Sequence, residues 1–142
     1  MKTQHEKGSR IAHTLLVLVF TLLTSVTLVD GQRRKPQSVT VVSANAIYNR
    51  GNNYYKKGEL DKAINDYNEA IRINPQYFKA YSNRGIAYGM KGEFEKAIND
   101  FSEAIRINPK FSMAYKARAF TYRKLGKTDL AIADEQKAME LP

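Results

Sequence analysis

The chain has no cysteine, no tryptophan, only two histidines and four prolines in 142 residues. Without cysteine there are no disulfides, thiolate metal sites, cysteine nucleophiles or lipid anchors attached through cysteine. Both histidines, His5 and His13, lie near the N-terminus. From residue 44 onward a Ser/His/Asp arrangement, a Cys/His pair and a histidine-based zinc site are therefore unavailable. A phosphate-binding glycine loop is missing too, because the glycines are spread out and not clustered as G-x-x-x-x-G-K. No cofactor is expected.

A one-signed charge stripe is also lacking. The formal net charge is +9. Residues 1–43 carry six basic and two acidic side chains, and residues 44–142 carry seventeen and twelve, with both signs interleaved. A nucleic-acid binder presents a basic face without alternating acids, so no nucleic-acid partner is expected.

The longest apolar run, TLLVLVFTLLTSVTLV, follows MKTQHEKGSRIAH with its Lys2, Lys7 and Arg10. Basic residues followed by an apolar stretch are the order of an export signal, and the run is just long enough to span a bilayer. Residues 1–31 are read as a signal peptide or a single-span membrane anchor, and both alternatives stay open. Either way the remainder is expected to be exported (periplasmic or secreted) or membrane-anchored. Residues 32–43 read as a linker in which Pro36 breaks any continuing helix and Ser43 supplies an N-cap.

From residue 44 the chain repeats with a period of 34, in units 44–77, 78–111 and 112–142. The first two units agree at 20 of 34 positions. AINDYNEAIRINP at 63–75 returns as AINDFSEAIRINP at 97–109. Each unit predicts two helices. Ile47, Gly51 and Tyr54 share one face of the first, and Gly58 ends it. Ala63, Tyr67, Ala70, Ile71 and Ile73 give the second an apolar face, and Pro75 stops it. Small residues such as Gly51, Gly85, Ala63 and Ala70 let helices approach, while Tyr54 and Tyr67 fill the space between backbones. One hairpin cannot bury this surface, so stacked copies share a core.

G-x-x-Y, A-x-x-x-Y/F-x-x-A and a closing proline resemble the tetratricopeptide repeat (TPR) family. The match rests on Gly51, Tyr54, Ala63, Tyr67, Ala70 and Pro75, and again on Gly85, Tyr88, Ala97, Phe101, Ala104 and Pro109. The resemblance covers residues 44–142. It implies an all-α, right-handed α-solenoid of three helix-turn-helix hairpins, acting as a non-enzymatic protein–protein interaction module. The third unit departs from the pattern at Ala119, Thr128 and Glu135, as expected of an end repeat that faces water.

Recurring residues read as scaffold. Arg50, Arg84 and Arg118 precede Asp66, Asp100 and Asp134 by 16 residues each time, which predicts Arg–Asp pairs. The acidic groups Asp66 with Glu69, Asp100 with Glu103, and Asp134 with Glu135 recur likewise, whereas a catalytic pair would be a single departure from a repeat.

In the family, the first helices line a concave groove that holds peptide segments. On this chain the lining falls at Asn45, Tyr48, Asn49, Asn52 and Tyr55, then Lys79, Ser82, Asn83 and Ile86, then Met113, Lys116, Phe120 and Arg123. Asn amides can bond peptide backbone. Tyr48, Tyr55 and Phe120 offer aromatic platforms, and Lys79, Lys116 and Arg123 favour an acidic or C-terminal carboxylate group. One TPR subclass clamps a C-terminal carboxylate with Lys, Asn and Arg. Asn52 and Asn83 match it, but Tyr48, Met113 and Ala117 stand where its basic residues would be, so such a clamp is not expected. The expected affinity is micromolar, about −8 kcal/mol.

An alternative role is a structural subunit that self-assembles through its end faces. Ala131, Ala138, Met139 and Leu141 are expected to stay partly exposed and to meet a second copy or a partner.

Overall fold

The computed structural model of the protein describes residues 43–142. The expected signal or anchor at 1–31 and nearly all of the linker at 32–43 lie outside them. Among the described residues no helix is long and apolar enough to cross a membrane.

Six helices follow one another, with no strand among the described residues. They are α1 (Ala44–Lys56), α2 (Leu60–Ile73), α3 (Phe78–Met90), α4 (Phe94–Ile107), α5 (Ser112–Lys124) and α6 (Thr128–Glu140). The Ser43 side chain caps α1, accepting from the Ala46 amide at 3.2 Å. Within each unit the turn is the same. Gly58, Gly92 and Gly126 take φ of 77°, 78° and 71°, the left-handed region closed to most side chains. This lets the following amide fold back. Glu59 N–H donates to Tyr54 O at 3.0 Å, and Glu93 and Lys127 repeat the bond on Tyr88 and Tyr122. Between units, Asn74 and Asn108 leave the helical region at φ −130° and −129° because a proline follows each.

α1 packs on α2, α3 on α4 and α5 on α6, and each hairpin stacks on the next through α2·α3 and α4·α5. The first helices also touch one another, α1 with α3 and α3 with α5, whereas the second helices do not. The stack is therefore concave on the side of the first helices. It is a solenoid of three hairpins whose core is small-residue rich: Ala63, Ala70, Ala80, Ala87, Ala97, Ala104, Ala114 and Ala131 are fully buried around Tyr67 and Phe101.

Ala131 and Ala138 were expected at a partly exposed end and are instead buried, because they face α5 within their own hairpin. The large exposed apolar residues of α6 are Leu130, Ile132 and Met139.

Candidate functional site

The predicted Arg–Asp pairs form, each joining the two helices of one hairpin. Arg50 donates through Nε and Nη2 to Asp66 at 2.7 and 2.7 Å, Arg84 to Asp100 at 2.8 and 2.6 Å, and Arg118 to Asp134 at 2.7 and 2.8 Å. Two also tie unit to unit: Arg84 Nη1 donates to Asn68 Oδ1 at 2.6 Å and Arg118 Nη1 to Ser102 Oγ at 2.8 Å. Burial lifts the Asp100 carboxyl above the usual aspartate range, against the pull of the Arg84 guanidinium. The neighbouring acids are engaged as well, Glu69 by Arg72, Glu103 by Arg106 and Glu135 by Arg123.

On the concave side, the helix stacking brings together Tyr48, Asn52, Tyr67 and Asn83. Tyr67 Oη donates to Asn52 Oδ1 at 2.8 Å. Asn83 Nδ2 donates to Asn52 Oδ1 at 2.8 Å and to the Tyr48 hydroxyl at 3.0 Å. The Tyr48 ring lies 5.9 Å from that of Tyr67 and 4.9 Å from that of Tyr77. Burial pushes the Tyr67 phenol well above its usual range, so it stays a neutral donor. The network consumes the acceptor of Asn52 and the donors of Asn83. Among the described residues the Asn52 amide NH2 and the Asn83 carbonyl have no side-chain partner, which leaves one donor group and one acceptor, as a peptide backbone requires.

Beside this cluster, Tyr55, Asn83 and Ile86 line a small cavity of about 50 Å³. Ile86 is shared with an apolar pocket of about 270 Å³ between the second and third units. Its walls include Met90 and Phe94 from one unit and Ala117, Phe120 and Thr121 from the next. Phe101 and Gly85 line it too, in contact with each other, and Gly89 leaves its space open. The concave face thus runs from a polar end between units one and two to an apolar end between units two and three.

Of the expected lining residues, Tyr48, Asn52, Tyr55, Asn83, Ile86 and Phe120 meet on this continuous surface. Ser82 does not, being 1% exposed. It shares the register of Tyr48 and Lys116, but its short side chain sinks between the helices where theirs reach out. Arg123 is paired within its own hairpin: Nε and Nη2 donate to Glu135 at 2.8 and 2.7 Å. Asn45 accepts from the Tyr77 hydroxyl at 2.5 Å. Asn49, Lys79, Met113 and Lys116 are exposed, outside the polar cluster and the pocket. Sequence reasoning missed Gly89, Met90 and Phe94. The available signal was Gly89, which replaces the Tyr55 and Arg123 of its neighbours and so removes a side chain from the pocket mouth.

Comparison with known proteins gives a consistent picture. The family description TPR repeat matches residues 51–92, and Tetratricopeptide repeat matches residues 78–111 and 101–133. The crystal structure of MamA is similar at TM-score 0.68 and 34% identity, over 70% of this chain and 58% of that one. The chain thus spans somewhat more than half of that relative. The Arabidopsis OM64 TPR domain is similar at TM-score 0.68 and 31% identity, over 70% of this chain and 82% of that one. The second TPR of Spaghetti (RPAP3), bound to the HSP90 peptide SRMEEVD, is similar at TM-score 0.68 and 28% identity, over 70% and 93%. No curated protein sequence matches the chain.

Proposed function

The chain belongs to the tetratricopeptide repeat family, and from that premise we propose that it binds an extended segment of another protein along its concave face. The observation that carries this reading is the continuity of the Asn52–Asn83 amide pair with the apolar pocket at Ile86 and Phe120. A peptide backbone group would bond the Asn52 NH2 and the Asn83 carbonyl. A large apolar side chain a few residues along would fill the pocket, which is of ordinary size for one anchor residue. Similar TPR domains in solved structures carry a bound peptide, SRMEEVD.

An acidic tail is a poorer fit here. Tyr48 and Ala117 are committed to hydrogen bonding and to the apolar wall, and Arg123 is already paired with Glu135. Lys79 and Lys116 remain exposed for a partner's acidic or C-terminal group at the rim. The role is binding rather than catalysis, since the acids spaced by the repeat all serve ion pairs. Delivery to or across a membrane is proposed from the basic residues and apolar run at 1–31 alone. N-terminal sequencing of the mature protein tests it.

The binding test is affinity capture of interacting proteins by wild type against Phe120→Glu. Partners retained by wild type and lost with Phe120→Glu support the groove. Equal retention by both removes it.

A further inference from the structure

The repeat register exposes, on the two ends of the stack, the two halves of an interface that the interior uses twice. Inside the stack, each second helix receives the first helix of the next unit. Ala80 and Ala114 are fully buried there, while Ala46, the same position on α1, is exposed. Arg84 and Arg118 have side chains 18% exposed, yet Arg50 is 59% exposed. The difference has a chemical side. Arg84 and Arg118 give Nη1 to Asn68 and Ser102 of the preceding unit, and among the described residues Arg50 Nη1 has no such acceptor.

The complementary half is on α6. Ile132 and Met139 are 42% and 76% exposed. They stand 68 residues beyond Ile64, which is buried, and Ile71, which packs on the cluster holding Ala80. Gln136, exposed between them, stands 68 residues beyond Asn68 and 34 beyond Ser102, the two acceptors of the interior arginines. A third pair follows the same register. Lys91 forms an ion pair with Asp61 across the first unit boundary. Lys57, 34 residues before Lys91, and Asp129, 68 residues after Asp61, are both exposed.

We propose that a second copy of this chain docks end to end on this face, its α1 seated on α6 as α3 sits on α2. Ala46 of the incoming copy meets Met139, Arg50 donates to Gln136, and Lys57 pairs with Asp129. The small residue faces the large one, the free donor faces an acceptor of the right type, and the free cation faces an anion. The contact uses different surfaces on the two copies, so it does not close on itself, and it builds a linear series. The concave groove runs on across each junction and stays open. This inference does not depend on the groove reading, since neither end face belongs to the groove.

Sedimentation velocity tests it, on the full chain and on residues 43–142, which lie within a single compact unit. Wild type is expected to grow with concentration through dimer to longer species. Ala46→Glu spoils one end and Met139→Glu the other, so each alone is expected to be monomeric. Mixed in equal amounts, they retain one good end each and are expected to form a one-to-one dimer and nothing larger. Circular dichroism checks that both remain helical. A monomeric wild type, self-association of either variant alone, or a monomeric mixture overturns the proposal. A charge exchange gives a second readout: Lys57→Asp and Asp129→Lys should each weaken association at least tenfold, and carrying both should restore it. Failure of both single exchanges to weaken it contradicts the register.

Discussion

The Phe101 ring occupies the space that a side chain at position 85 would need. A Cβ on Gly85 would stand 2.8 Å from Phe101 Cε1, and one on Gly51 would stand 2.8 Å from Tyr67 Cε1. In the third unit Ala119 replaces the glycine, and Glu135 replaces the ring. The pair changes together because the glycine is there for the aromatic. Gly85→Ala should therefore destabilise the protein. The gain in helix propensity is about 1 kcal/mol, but crowding the Phe101 ring costs about 1–3 kcal/mol, for a net loss of up to about 2 kcal/mol. Gly89→Ala, one turn on, meets nothing nearer than Ala97 Cβ at 3.9 Å and should stabilise by about 0.5–1 kcal/mol. Urea unfolding of the two variants measures the opposite signs.

The three Arg–Asp pairs are alike in geometry and unlike in environment. Arg84 is covered by the preceding unit, so Asp100→Ala would strand a largely buried guanidinium and should cost about 3 kcal/mol. Arg50 stands largely in water, so Asp66→Ala should cost clearly less. Equal losses at the two sites, read from thermal or urea midpoints, would contradict the role assigned to the covering unit.

Stability should be flat from about pH 6 to 8, because histidine is the side chain that ordinarily titrates there and none occurs beyond His13. On the acid side, Glu59, Glu69, Glu93 and Glu135 are held below the usual glutamate range, first by hydrogen bonds from Lys62, Arg72, Lys96 and Arg123. A lowered carboxyl contributes stability that is present above its unfolded value, 4.5, and is lost as pH falls through the folded one. On the alkaline side, burial raises the phenols of Tyr67 and Tyr77. A raised phenol contributes stability that is present below 10.0 and is lost as pH climbs through the folded value. Denaturation midpoints should therefore fall at both ends, with Tyr67→Phe blunting the alkaline loss.

How much of this was legible in the sequence follows from what spacing can carry. The glycine turns, the helix-ending prolines and the 16-residue Arg–Asp separation recur, so each is read three times or nearly so. Tertiary features that occur once are harder. The Arg123–Glu135 pair joins two departures from the repeat, and neither points to the other without the hairpin in view. Ser82 shares a register with half-buried Tyr48 and exposed Lys116, and its shorter side chain is buried. The apolar pocket owes much of its space to small side chains, at Gly89 and Ala117, beside Phe120. Asn52 and Asn83 were placed on the groove, but the bonds between them, which fix the donor and acceptor left over, come from the stacking of α1 on α3.

In the proposed function the concave face grips a peptide through an amide pair and an apolar pocket. The most direct measurement selects binders from a displayed random peptide library with residues 43–142. The strongest binder is then titrated into isotope-labelled protein, and amide shifts are followed by NMR. The binders should share one large apolar residue, with the main shifts at Asn52, Asn83, Ile86 and Phe120, and binding lost with Phe120→Glu. Shifts concentrated on the outward faces of α2 and α4, with Phe120→Glu binding as wild type does, would contradict it.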